Sequence, residues 1–506
     1  MDKFAIITVE SNAAKLVIAS VINGNYFTIS DFEKSAVKLE CEADADMFLK
    51  KSQIDSTIKV LKNFRKLCEM HQVKRIIPVA VFSGDRKPKN IYSFFEEIFN
   101  SCGFRFTILS EEERNHNIWT GIINTFDLPK GVMCHISSES VSICLYNRRN
   151  IINQVNLNFG PKTLADLYPL DATNKAENVK HITEHVLKAL DEVEFLNSVD
   201  EDFTFIGSGE YFIDESNLVK KLKKYPLDIV DNFVFDAADL GRVCDQVSAA
   251  DIDKTKKIKG VSEQRADVFV ASMLISLAVA KKLKREQVTV IGRGLVEGIL
   301  FNQVIESTQE KPVSDVLSHS LISQSQIYNG ENFRHDEQIY NLALLLFKQL
   351  RVLHKLPRTY TKVLRIAAFM HDCGERVGFA NRARNGFNVC LGSDIYGATH
   401  RELLLASFVI ALHYGKELPL SDFIKYKDII TDEDIAAVKK LGIILSLAEA
   451  FDRTRNSVIV DINCDILGDS VIMKTISVAD NSYEVEKAAE CERVFEKAFN
   501  KKIEIL

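Results

Sequence analysis

One pattern occurs twice in this chain, and it limits the folds open to it more than any other feature. Residues 7–30, ITVESNAAKLVIASVINGNYFTIS, run as apolar strand, polar break, apolar strand, Asn-Gly turn and third strand. Residues 132–159, VMCHISSESVSICLYNRRNIINQVNLNF, repeat that order with a Ser-containing break and a polar turn in the same places. Val9-Glu10-Ser11-Asn12 lies on Ile136-Ser137-Ser138-Glu139, so each copy holds a tight hairpin with small hydroxyl residues at one point. The repeat predicts two related α/β halves facing one cleft. Hairpins of this kind can aim backbone N–H groups at phosphates. A third stretch, FTFIGSGE at 203–210, runs a strand into Gly-Ser-Gly, where the backbone can come close to a ligand. Each loop alone also fits a plain turn; the three together favour an anion cradle.

Between the loops, apolar residues recur at helical spacing over 52–70, 91–104 and 174–197, and strands are expected at 74–81 and 104–109. From about residue 300 long helical patterns take over through 460. SVIVDINCD and DSVIMKTISV then read as strands leading into a terminal helix, SYEVEKAAECERVFEKAF. The expected fold class is α/β plus all-α. Its domains are a first α/β half at 1–125, a second at 126–300, a helical domain at 301–460 and a small α/β tail at 461–506. A length of 506 residues exceeds what one core covers, which agrees with several domains. No apolar run approaches the roughly 20 residues a membrane helix needs, and the start Met-Asp-Lys-Phe lacks a secretory pattern. A soluble, cytoplasmic protein with no membrane partner is expected. Ten cysteines without a Cys-x-x-Cys pair read as small buried residues rather than a disulfide or zinc framework. The net charge of −6 gives no global pull toward nucleic acid, and none is expected as partner. Lys256-Lys257-Lys259 and Lys281-Lys282-Lys284-Arg285 read as solvated helix faces.

Several stretches, in order, resemble the exopolyphosphatase and guanosine pentaphosphate phosphatase family, the Ppx/GppA group. They are GPKTLADLYP at 160–169, GVSEQRADVFVAS at 260–272, GRGLVEG at 292–298, AAFMHDCGE at 367–375, ILSLAEAFDRTR at 444–455 and the tail FEKAFNKKIEI. The resemblance spans nearly the whole chain. It implies an actin- and sugar-kinase-like (ribonuclease H-like) fold over the first 300 residues, with Mg2+ and phosphates held in the cleft. It also implies a hydrolase that releases terminal phosphate from inorganic polyphosphate or guanosine pentaphosphate, and a homodimer.

The family's first loop, Asp-x-Gly-Ser-Asn-Ser, reads Thr8-Val9-Glu10-Ser11-Asn12-Ala13 here, and the second, Asp-Ile-Gly-Gly-Gly-Ser-Thr-Glu, reads His135-Ile136-Ser137-Ser138-Glu139-Ser140-Val141-Ser142. Each new Cβ narrows the approach to an anion, and Glu10 and Glu139 add negative charge where phosphate oxygens would sit. The resemblance implies phosphate contacts from Ser11, Asn12, Lys15, Arg86, Asn90, Ser138, Ser140, Ser208 and Gly209. Arg86 and Asn90 keep the family's Arg-x-x-x-Asn spacing, and an arginine fork suits phosphate. The family's Ser-Gly-x-Glu-Glu-Ala segment reads Ser110-Glu111-Glu112-Glu113-Arg114-Asn115, which sets Arg114 on the usual base and leaves Glu113 as the carboxylate to activate water. Three successive glutamates equally suit a solvated helix start.

A second candidate site resembles HD phosphohydrolase domains through His335, His371, Asp372 and Asp452. Imidazoles and carboxylates drawn from several helices into one bundle are what a second divalent metal needs, with His400 and His413 as further candidate ligands. Against the family pattern, Asn385 stands where a histidine is usual. Three functions stay open: hydrolysis in the cleft, a catalytically inactive phosphate- or nucleotide-binding regulatory protein, and metal-dependent nucleotide phosphohydrolysis at the HD-like site.

Overall fold

The computed structural model describes residues 2–22, 26–39, 47–82, 87–147, 150–170, 174–250, 252–258, 260–261, 265–304, 313, 315–330, 333–415 and 419–506. The chain divides into two units, Met1–Ser314 and Asp315–Leu506.

In the first unit, β1 (Asp2–Val9), β2 (Ala13–Ile22), β3 (Tyr26–Ala36), β4 (Arg75–Ala80) and β5 (Thr107–Ile108) form a sheet in the order β3-β2-β1-β4-β5. A second sheet is built from β6 (Lys130–Ile136), β7 (Val141–Asn147), β8 (Asn150–Leu157), β9 (Thr204–Ser208), β10 (Phe233–Asp236) and β11 (Gln287–Ile291), in the order β10-β11-β9-β6-β7-β8. In both, the first three strands form an antiparallel meander and the fourth lies parallel to the first. The repeated sequence pattern is a repeated topology. Both hairpin breaks close alike: Glu10 N–H donates to the Ala13 carbonyl at 2.8 Å, and Ser137 N–H to that of Ser140 at 3.0 Å. β1 is buried without alternation from Ala5 to Val9, as a strand is when both of its faces are covered.

The helix Lys51–Met70 turns Ile54, Ile58, Leu61, Phe64 and Cys68 onto one stripe against the first sheet, where the helix Ile91–Cys102 joins it. That second helix stops at Cys102, short of the expected 104, because Gly103 takes the left-handed φ of 70°. Two further helices exchange halves. The helix Glu111–Thr125 precedes the second sheet and packs Ile118, Trp119 and Ile122 on its Met133, Cys144 and Ile206. The helix Leu295–Val304 follows that sheet and packs Ile299 and Leu300 on Ile6, Ala19 and Val79 of the first. They approach through glycines: a Cβ on Gly121 would lie 2.2 Å from the Gly294 carbonyl oxygen, and one on Gly298 would lie 1.7 Å from that of Asn117. Gly294 and Gly298 of the GRGLVEG stretch thus serve helix contact.

The second unit is mainly helical, built on Phe333–Gln349, Tyr360–Met370, His400–His413 and Asp432–Ala450. A sheet of β12 (Ile459–Ile466), β13 (Ser470–Ser477) and β14 (Lys502–Ile505) closes it. The single terminal helix expected over 482–499 is two, Ser482–Ala489 and Glu492–Phe499, and the last residues add a strand parallel to β13 that helical periodicity could not show. Among the described residues the cysteines are free, and no helix is long and apolar enough to cross a membrane.

Candidate functional site

The two hairpin breaks lie at the edge where the halves of the first unit meet, and ion pairs join them there. Lys15 on β2 pairs with Glu10 at 3.2 Å and with Glu210 of the second half at 3.0 Å, while Lys34 reaches Glu210 at 2.6 Å. Arg265 also pairs with Glu210, and with Asp214 at 2.6 Å. Burial opposes the charge on Lys15, but the Glu10 and Glu210 carboxylates outweigh it and hold the ammonium above its ordinary range. Burial likewise opposes the charge on Glu210; Lys15, Lys34 and Arg265 prevail and bring it down to about 2.

The second hairpin is a hydroxyl network. Ser137 and Ser140 hydroxyls lie 2.8 Å apart, and Arg114 donates to Ser140 at 3.3 Å and to Ser142 at 2.8 Å. His135 Nδ1 is 3.3 Å from the Ser208 hydroxyl. Burial, with the charges of Arg114 and Lys15, pushes His135 down to about 3, so its ring is neutral. Gly209 sits at φ 99°, where a Cβ would come within 2.9 Å of the Ile136 carbonyl oxygen.

Other expected cleft residues are engaged by the backbone. The carbonyls of Ser11 and Asn12 accept N–H groups of Leu39 at 2.7 Å and Val37 at 3.1 Å, and that of Ser138 accepts Lys162 N–H at 2.9 Å. The Asn90 amide ties Leu49, accepting its N–H at 2.8 Å and donating to its carbonyl at 3.0 Å. Glu113 is exposed and closes a capping box, accepting Ser110 N–H at 2.8 Å. Arg86 lies outside the described residues. The magnesium implied for the cleft does not fit the residues present. Thr8, buried with a hydroxyl that has no hydrogen-bond partner among the described residues, and neutral His135 stand where carboxylates would be needed.

The second unit assembles a different site. His335 lies in the first turn of Phe333–Gln349, His371 and Asp372 follow Tyr360–Met370, and Asp452 follows Asp432–Ala450. All four are buried, His371 and Asp452 completely. One ligand atom from each of His335, His371 and Asp372 lies within 4.8 Å of the others. His371 Nδ1–H donates to the Ala368 carbonyl at 2.8 Å, which leaves Nε2 as the free ring nitrogen; that atom is buried with no hydrogen-bond partner among the described residues, 3.4 Å from Asp372 Oδ2, and although burial opposes a charge on the ring, the Asp372, Asp336 and Glu449 carboxylates raise its pKa. Asp452 Oδ2 accepts from His335 Nδ1 at 2.7 Å, while Asp452 Oδ1 accepts Ser457 N–H at 2.7 Å. Asp452 thus orients a histidine, a common arrangement around metals. Arg455, at a left-handed φ of 57°, donates to Asp372 at 2.5 Å. His413 and Glu449 lie beside this set, 3.4 Å apart, with the His413 ring 5.9 Å from that of His371. His400 opens the helix that His413 closes, and thirteen residues at ~1.5 Å each keep the two imidazoles from sharing one ion. Arg455 and Glu449 carried no sequence signal beyond lying in the stretch that holds Asp452.

The family model of the Ppx/GppA phosphatase family matches residues 17–306, and that of Ppx/GppA phosphatase, domain III, matches 323–490. The chain belongs to the Ppx/GppA phosphatase family. A guanosine-5'-triphosphate,3'-diphosphate pyrophosphatase of Vibrio vulnificus is 21% identical over 406 residues, 79% of this chain and 78% of that one. A bifunctional 3-dehydroquinate synthase/phosphatase of Fusobacterium nucleatum is 25% identical over 54% of this chain and 42% of its own length. The crystal structure of an Aquifex aeolicus Ppx/GppA family member superposes with a TM-score of 0.53 at 21% identity, covering 61% of this chain and 99% of that one. An exopolyphosphatase from Cytophaga hutchinsonii gives 0.54 at 18% identity, covering 60% and 98%. These neighbours show the actin-like α/β fold that the Ppx/GppA resemblance implies.

Proposed function

We propose that this Ppx/GppA phosphatase releases terminal phosphate from guanosine pentaphosphate or inorganic polyphosphate, with its chemistry at a divalent-metal centre in the second unit. What supports this is the convergence of His335, His371 and Asp372 on one buried point, with His371 Nε2 left without a hydrogen-bond partner among the described residues. A bound divalent ion supplies a Lewis acid and lowers the pKa of a water. His371 keeps Nε2 free by donating from Nδ1 to Ala368. Asp452 turns His335 the same way, and Asp372 adds an anionic oxygen steadied by Arg455. The part-exposed Arg455 guanidinium offers phosphoryl oxygens a fork of donors at this point. The substrate classes come from what relatives are named for; the cleft reading loses ground because Glu113 is held in a cap.

The test is orthophosphate release from both substrates with Mn2+ or Mg2+ and a chelator control. His371→Ala and Asp372→Asn are expected to lower it ~100-fold or more, the scale of losing a metal's contribution. Full release by Asp372→Asn with loss in Glu113→Gln would move the chemistry to the cleft.

A further inference from the structure

Asp452, Thr454 and Arg455 lie in one turn after the helix Asp432–Ala450. Within it Arg455 sits at φ 57° and Ser457 at φ 53°, in the left-handed region that side chains rarely adopt. Backbone strained in this way persists where its surroundings hold it. Inside the turn, Arg455 N–H donates to the Asp452 carbonyl at 2.8 Å, and Ser457 N–H to Asp452 Oδ1 at 2.7 Å. Its side chains reach two other parts of the bundle: Asp452 Oδ2 meets His335 at 2.7 Å, and Arg455 meets Asp372 at 2.5 Å. A glycine at 455 would relieve the strain. The arginine keeps it and gains the reach to Asp372.

A further contact comes from the C-terminal segment. Glu484, in the first turn of the helix Ser482–Ala489, is 1% exposed, and its Oε1 accepts the Thr454 hydroxyl at 2.5 Å and the Thr454 N–H at 3.3 Å. A buried carboxylate is costly unless hydrogen bonds satisfy it, and both of these donors belong to one residue of the turn. Thr454 stands directly between Arg453 and Arg455. We propose that Glu484 is a positioning residue for the second unit's metal centre: by holding Thr454 it keeps the strained turn in the shape that sets Arg455 on Asp372 and Asp452 on His335. This role, which rests on the metal centre proposed above, needs no contact between Glu484 and the ion. Without the tie the turn relaxes toward ordinary backbone, which withdraws the Arg455 donor from Asp372 and loosens the acceptor behind His335.

Amide hydrogen exchange and Mn2+ titration calorimetry on the full chain test it. The variants are Glu484→Ala, Glu484→Gln, Thr454→Val and, as a control at an exposed position of the same helix, Glu486→Ala. In EDTA, exchange at the Arg455 and Ser457 amides is expected to quicken ~10-fold or more in Glu484→Ala, the scale of a lost hydrogen bond to a charged group. Mn2+ affinity is expected to fall ~10-fold in that variant, as when a partner behind a metal ligand is removed. Glu484→Gln keeps an acceptor oxygen and recovers most of both, while Glu486→Ala changes neither. If Glu484→Ala does not fold, Thr454→Val removes the hydroxyl donor and is expected to move both readings in the same direction. Faster exchange with wild-type Mn2+ affinity overturns the proposal, as does a Glu484→Gln no better than Glu484→Ala. Unchanged exchange in Glu484→Ala, beside normal Mn2+ binding by the wild type, overturns this role alone. A wild type that binds no Mn2+ overturns the metal centre, and this role with it.

Discussion

Glu215 is fully buried, and its carboxylate accepts a hydrogen bond from Ser276 at 3.0 Å. Burial pushes its pKa up to about 8, so the folded chain holds protonated a group that the unfolded chain ionises near ~4.3. Folding then takes up a proton between those values, and stability falls as pH rises through that window, by a few kcal/mol in order of magnitude. Glu210 acts in the other direction but below this window, since its folded value lies near 2. We expect urea midpoints of the wild type to drop from pH 5 to pH 8 and those of Glu215→Gln to stay level. An equal drop in both would assign the dependence to other groups. At the proposed metal centre, Asp452→Asn keeps the volume but weakens the acceptor for His335, and Mn2+ affinity by titration calorimetry should fall ~10- to 100-fold. Unchanged affinity would leave Asp452 a purely structural anchor for Ser457.

The crossing of Glu111–Thr125 with Leu295–Val304 is the element-scale joint of the first unit. Each helix packs on the sheet of the opposite half, so the spacing of the two sets how the halves meet. Gly298→Ala drives a methyl to 1.7 Å from the Asn117 carbonyl oxygen, which neither backbone can yield without moving the helix. We expect a loss of about 1–3 kcal/mol or more by chemical melts. Gly392→Ala, at the end of the helix Arg382–Gly392, meets nothing within 4 Å among the described residues and should be neutral or gain up to ~1 kcal/mol. Similar losses at both positions would mean that helix propensity, and not the crossing, decides. The same joint carries Arg114, whose place on the second turn faces the Ser140 hairpin.

At the scale of the whole molecule, a metal response is expected to belong to the second unit. In scanning calorimetry, Mn2+ should raise a transition that His371→Ala desensitises. A Mn2+ shift that survives His371→Ala would defeat that assignment. The duplicated meander was legible in the chain because a hairpin is a local object: alternating apolar runs around a polar break determine its strands from neighbours a few residues apart. So was the helical character of the C-terminal region, while packing brings His335, His371 and Asp372 together and sets Asp452 behind His335. The fate of single side chains was not. Arg114 stands 26 residues from Ser140, His335 stands 117 from Asp452, and Arg455 stands 83 from Asp372. Periodicity has no reach over such separations. The run of glutamates at 111–113 read equally as a catalytic base or a helix start, and the Ser110–Glu113 cap took up Glu113. The sequence alone determined the repeat, the fold class and the residue types offered to each site, because those follow from local pattern and chemistry. Tertiary structure decided which charges are matched and which are left open, because burial and counter-charge exist only once distant segments pack together.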